Sequence, residues 1–297
     1  MPERRGSGGR RLLRAITGNR KAAVGATILL VIAFVACFPG LIAPDDPSAT
    51  AYAPNLGISG SHLLGTTSIG QDVFSQLIWS TRQTLLVTLL VSVIATFLSV
   101  FIGVTAAYIG GGLDRVLTVV IDIFLIIPVL PLLILLASYL APGVASLTIV
   151  LCVTSWAFQA RQLRSQGLSL RNRDFLVSAK VRGERSLYII FAEIIPTMTS
   201  LIAASFLALA VYVVGFAASL QFLGLGNSSQ LMWGTMLYNA QQQAAIQPGG
   251  NAWWEIGPAI AVALLGTGFA LVNYAFDEIG NPALRPVRRR RRARSAA

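Results

Sequence analysis

Six stretches of this chain are long enough and apolar enough to cross a bilayer, and they restrict its fold more than any other feature. Residues 22–42 run for 21 positions without a charged side chain. At 1.5 Å of helical rise per residue, such a run matches a hydrocarbon core of roughly 30 Å. Further runs occupy residues 85–108, 115–140, 144–160, 196–220 and 256–276, and only that at 115–140 carries charges, at Arg115 and Asp122. Hydrocarbon offers no partner to backbone N–H and C=O groups, so each run has to satisfy its own as a helix. The reading is an all-α integral membrane protein with six transmembrane helices. Composition agrees: 55% of residues are hydrophobic, 12% are charged and mean hydropathy is +0.68.

Two of these runs raise alternatives. Residues 34–37 faintly resemble a lipoprotein cleavage site, which makes a cleaved signal peptide the rival reading of the first run. Its length exceeds the usual signal core of roughly 7–15 residues and favours a retained anchor. In the third run, a carboxylate at Asp122 is costly unless it faces protein or water. It serves either substrate or a structural contact near the cytoplasmic end. Pro128 and Pro131 are expected to kink the same helix, since each removes an internal hydrogen bond.

Orientation follows from the basic residues. Of 23 Lys and Arg, seven lie in residues 1–21, one in the connection at Arg115, seven in residues 161–195 and seven in residues 285–297. Arg82 alone falls on the other side. The positive-inside rule then puts both termini and the 161–195 loop in the cytoplasm, and loops 43–81 and 221–255 outside. The chain divides into a basic cytoplasmic tail at 1–21, a transmembrane domain at 22–284 and an Arg-rich cytoplasmic tail at 285–297. Trp253 and Trp254 suit a membrane interface.

The net charge of +11 does not point to nucleic acid, because the basic residues flank apolar spans instead of forming a patch with interleaved aromatics. Contact with acidic lipid headgroups suits the arginine tail, at about 1 kcal/mol per residue near a charged surface. Cys37 and Cys152 both sit in apolar runs, without disulfide or metal-ligand spacing. A phosphate-binding loop needs Gly before Lys and Ser or Thr after it. The lysines here are Lys21 and Lys180, preceded by Arg20 and Ala179. The chain therefore reads as a non-enzyme with no catalytic residues and no cofactor of its own.

Residues 161–196 form the one long polar segment between two apolar runs. Phe175, Leu176, Ala179 and Leu187 recur there at helical spacing and predict an amphipathic helix interrupted at Gly183. A glycine in a helix costs about 1 kcal/mol relative to alanine, so Gly183 marks a bend or a close backbone contact.

Within this segment DFLVSAKVRGERSLYIIFAEIIP, residues 174–196, resembles the EAA loop of ABC importer permeases. Ala179, Gly183, Ile189, Ile190, Phe191 and Pro196 match that pattern, while Val177, Ser178 and Glu193 stand where it has glutamate, alanine and histidine. Three more segments resemble the dipeptide and oligopeptide branch of the family. SHLLGTTSIGQDVFSQLIWSTRQTLL contributes His62, Leu64, Gly65, Thr66, Gly70, Asp72, Val73, Ser75 and Arg82; DIFLIIP contributes Asp122; QFLGLGNSSQLMWGTML contributes Gly224, Gly226, Trp233 and Gly234.

The resemblance implies a type I importer permease in a bacterial inner or plasma membrane. It implies a coupling helix that rests in a cleft of a cytoplasmic ATPase, here through Asp174, Phe175, Leu176, Ser178, Ala179, Arg182, Gly183 and Leu187. The implied partners are a homologous permease, two ATP-binding cassette domains holding ATP and Mg, and an extracytoplasmic peptide-binding protein. The implied cargo is a dipeptide or oligopeptide, with nickel, glutathione or haem as alternatives. Secondary transporters and membrane scaffolds are the rival classes. The former need ionisable relay residues within the spans, and only Asp122 qualifies.

Overall fold

A computed structural model describes residues 20–43 and 45–280. Apart from Arg20 and Lys21, the two basic tails lie outside the described residues. The chain starts with α1 (Arg20–Cys37) and α2 (Pro39–Ile42), and after a long loop enters α3 (Val73–Ile109). Next come α4 (Gly111–Ile126), α5 (Val129–Tyr139), α6 (Val144–Thr154) and α7 (Ala157–Leu170). The short helices α8 (Asp174–Val181) and α9 (Ser186–Tyr188), a π-helical turn (Ile189–Ile194) and α10 (Ile195–Thr197) lead into α11 (Thr199–Phe222). Helices α12 (Trp233–Gln242) and α13 (Trp253–Gly280) complete it.

Among the described residues, five segments meet the length and hydropathy of a membrane span: α1, α3, Val144–Leu170, α11 and Trp253–Tyr274; α4 and α5, bent by 91°, add a sixth if they count together as one. The bend corrects the expectation of two proline kinks. Pro128 caps α5 and Pro131 sits in its first turn, where a missing N–H breaks no helical bond, so there is one break at Ile127–Pro128.

Helix α3 is the mast of the bundle. Asp72 caps its start, its Oδ2 accepting the Ser75 N–H at 2.7 Å, so the helix begins 12 residues before the expected span at 85. Ser80, Thr84, Thr88, Ser92 and Ser99 lie on its buried face. Thr84, Thr88, Ser92 and Ser99 each donate to the carbonyl four residues back at 2.7–2.9 Å. Hydroxyls satisfied within their own helix leave a narrow surface on which neighbouring backbones approach closely. At Gly103 this approach is closest, since an added Cβ would strike the Ala160 carbonyl of α7. Helices α6, α7 and α11 pack on α3, and α13 packs between α11 and α1.

Two boundaries differ from the sequence reading. The fourth span does not stop at Ala160: after an interruption at Ser155 and Trp156, α7 continues to Leu170. Residues 161–170, expected as loop, are therefore helix packed against α3 and α4. The loop at 221–255 contains a ten-residue helix, α12, whose Trp233 and Met236 are buried. Trp253 is partly exposed, but Trp254 is a core residue and not a lipid-facing one.

Candidate functional site

Helix α8 hangs from the Gly110 end of the bundle by two side chains. Leu176 and Ala179 are fully buried, in a cluster with Val104, Tyr108, Leu163, Ile189 and Met198. Burying a leucine this completely stabilises by about 2–3 kcal/mol. Lys180 adds a cation–π contact, its Nζ 5.2 Å from the centre of the Tyr108 ring. The outward side is apolar too: Val177 is 48% exposed and Val181 83%, while Asp174 and Ser178 face solvent beside them. Leu187 and Phe175 were expected to share one face with Leu176 and Ala179. Instead Leu187 is 64% exposed, because the chain turns away at Gly183 before it is reached, and Phe175 within α8 is 37% exposed.

Gly183 is the end of α8 and does not lie inside it. Its φ of +75° is in the left-handed region, and nothing lies within 4 Å of where a Cβ would be. The N–H of Glu184 donates to Ala179 O at 3.2 Å and that of Gly183 to Lys180 O at 3.0 Å. This doubly bonded termination is the Schellman turn that glycine favours. Of the two roles open to Gly183, conformation is the reason and close packing is not. Arg182 Nε donates to Glu184 Oε1 at 2.8 Å across the same turn. The helix expected to be interrupted at Gly183 is thus two separate helices, α8 and α9. The π-helical turn follows directly, ahead of Pro196, whose missing N–H interrupts the α-helical ladder.

Two ion pairs tie α7 to α4 just above this cluster. Arg164 donates from Nε and Nη2 to the two oxygens of Asp114, at 2.6 and 2.8 Å, and Arg161 pairs with Asp122. Asp122 therefore has a protein partner, which lowers the cost of placing a carboxylate in a span. The sequence reading missed the Asp114–Arg164 pair and assigned Arg161 and Arg164 to a loop. A match of two acids on one helix with two arginines on another is visible only once the helices are known to be adjacent.

At the Asp72 end, the other motif residues are structural. Gly65 (φ +73°) and Gly70 (φ +77°) each bring backbone against backbone, at the carbonyls of Leu56 and Tyr52. Thr66 Oγ1 donates to Ala53 O at 2.7 Å and accepts the Leu56 N–H at 2.8 Å. Buried His62 shares Asp72, Nδ1 to Oδ1 at 3.2 Å. Asn251, absent from the sequence reading, joins the two loops of this end, donating from Nδ2 to Leu64 O and Thr66 O at 2.7 and 3.1 Å. Trp233 Nε1 donates to Leu77 O at 3.1 Å, while Gly224 and Gly234 make room for the Tyr238 ring and the Gln221 side chain. Gly226 lies beside Gln221 in the same turn, and Arg82 is exposed on α3.

The geometry is that of a helical membrane body with a short, firmly anchored helix projecting from one end. Comparison with known proteins places it. The Dipeptide transport system permease protein DppC of Haemophilus influenzae is 30% identical over 278 residues, covering 90% of this chain and 92% of that one. The Nickel transport system permease protein NikC of Escherichia coli is 28% identical over 263 residues, covering 86% and 92%. A chain of the MetNI methionine ABC transporter, solved in an inward-facing conformation, shares the fold, with a TM-score of 0.56 over 71% of this chain and 97% of that one at 18% identity. Residues 99–286, which include α8 and both ion pairs, match the model of one family. The chain belongs to that family, the binding-protein-dependent transport system inner membrane components.

Proposed function

We propose that this multi-pass inner-membrane protein is one of two homologous permease subunits of an ATP-driven peptide importer, and that α8 is its coupling helix. The construction of α8 carries the reading. Leu176 and Ala179 hold it to α3 and α7, while Val177, Val181 and Leu187 stay exposed among Arg173, Lys180, Arg182 and Arg185. An exposed apolar knob with a basic rim fits a cleft on another protein and serves no purpose in water. Two cytoplasmic ATP-binding cassette domains, holding ATP and Mg, supply that cleft. Their closure pushes α8, and the buried cluster passes the displacement to α3, α7 and, through the π-helical turn, to α11. Transport follows if the ATPase binds the outward-open and inward-open states with different free energy.

An extracytoplasmic binding protein delivers the cargo at the Asp72 end. The similarity to a dipeptide permease supports peptide cargo, and that to a nickel permease keeps a metal within the range to be tested. The decisive measurement is uptake in vesicles holding both permeases, the ATPases and the binding protein. Labelled dipeptide is expected to accumulate with ATP and not with an ion gradient alone. Val181→Asp is expected to leave membrane insertion intact and to abolish ATPase co-purification. Uptake driven by a gradient without ATP, or full ATPase binding by Val181→Asp, refutes the proposal.

A further inference from the structure

Two recesses flank the Thr199 end of α11, and their linings differ in kind. Between α3 and α11, Phe97, Phe101, Phe191, Ile202 and Phe206 line an open recess of about 500 Å³. Between α7 and α11, Phe158, Arg161, Gln162, Ser165, Gln166 and Leu201 line one of about 350 Å³. Both lie at one depth, since Leu201 and Ile202 are successive residues of α11. On the other side Gly103, two positions from Phe101, lies against the Ala160 carbonyl and the Arg164 nitrogen of α7. Phe97 is 64% exposed and Phe101 49%, as lipid-facing aromatic side chains are. At the same depth α7 exposes Arg161, Gln162, Ser165, Gln166 and Ser169, with Leu168 the one apolar side chain among them, while Ala160, Leu163 and Gly167 are buried.

Polar and charged groups at membrane depth face protein or water, not hydrocarbon. We infer that this face of α7 lines the water-filled passage in the half of the membrane nearest α8, and that its occupant is a hydrated peptide in transit. Gln162, Ser165 and Gln166 exchange hydrogen bonds between water and the amide groups of the cargo. Arg161, 54% exposed at its side chain although paired with Asp122, adds positive charge that favours a carboxylate. The inference rests on the transport reading above and goes beyond it by assigning the wall.

The test uses the full transporter in vesicles with Cys37→Ser and Cys152→Ser, so that ATP-dependent uptake by this cysteine-free chain checks the transport reading separately. Single cysteines are then placed by Ser165→Cys and Gln162→Cys, with Phe101→Cys as the lipid-facing control. A hydrated thiolate attacks the sulfur of a membrane-impermeant methanethiosulfonate, forming a mixed disulfide and releasing methanesulfinate, so both α7 cysteines are expected to react at least about tenfold faster than the control. Cargo is expected to slow that reaction, and the adduct to reduce uptake relative to the same variant unlabelled. Labelling no faster than at Phe101→Cys overturns the assignment, as does a disulfide from either α7 cysteine to the second permease, which makes this face a subunit seam. Fast labelling that neither cargo nor uptake registers also overturns it, placing α7 in bulk water.

Discussion

Gly183→Ala is the most informative single change at α8, the proposed coupling helix, because the structure separates its causes. No atom lies within 4 Å of the new methyl group, so the whole effect comes from the backbone at φ +75°. A non-glycine residue there costs about 1–2 kcal/mol, of which about 0.4–1 kcal/mol is offset by the lower entropy of the unfolded chain. The remainder, about 1 kcal/mol, acts on the turn that ends α8 and corresponds to roughly a fivefold rise in local opening. Hydrogen exchange at the amides of Gly183 and Glu184, which donate to Lys180 O and Ala179 O, reads that opening directly. Gly183→Asn is expected to restore most of the protection, since asparagine tolerates the left-handed region. Uptake per ATP hydrolysed is expected to fall in the order Gly, Asn, Ala, with membrane insertion unchanged. The contrast is Gly70→Ala, where the Tyr52 carbonyl blocks the side chain as well, so that its cost exceeds about 2 kcal/mol. If Asn and Ala at 183 open the turn equally, or if neither does, the conformational argument is wrong.

Three further outcomes follow from the same contacts. Leu176→Ala removes a fully buried side chain and is expected to lower stability by about 2–5 kcal/mol in denaturant titration, whereas Val181→Ala, 83% exposed, changes it by less than about 0.5 kcal/mol. Asp72→Ala deletes the cap of α3 together with the partner of His62, and a loss of about 1–2 kcal/mol is expected in thermal unfolding, with Asp72→Asn recovering the cap bond. Arg164→Lys keeps the charge but not the two-pronged contact with Asp114. A loss of about 1–3 kcal/mol is expected, between the values of exposed and buried pairs, and a melt equal to that of the parent protein contradicts it.

Much of the body of this protein is legible along the chain, because the bilayer reduces folding to a nearly one-dimensional rule: an apolar run of sufficient length has to become a helix. That rule locates the apolar helices, and the spacing of Ala179, Gly183 and Pro196 locates the segment that the resemblance singles out. It does not say which side of a short helix is buried. Phe175, Leu176, Ala179 and Leu187 look equivalent in sequence, yet only Leu176 and Ala179 are covered, because these two join the cluster with Val104 and Tyr108 of α3 and Leu163 of α7, and the turn at Gly183 carries Leu187 off. Arginine at 161 and 164 reads as loop for a similar reason. A charge is costly in a span only when alone, and its partners, Asp122 and Asp114, arrive from a helix some 40 to 50 residues earlier. The sequence by itself determined the approximate places of the apolar helices through hydropathy. Only the tertiary structure decided the single break at Pro128, the pairing of acids with arginines and the polar face of α7, since each depends on which helices come to lie side by side.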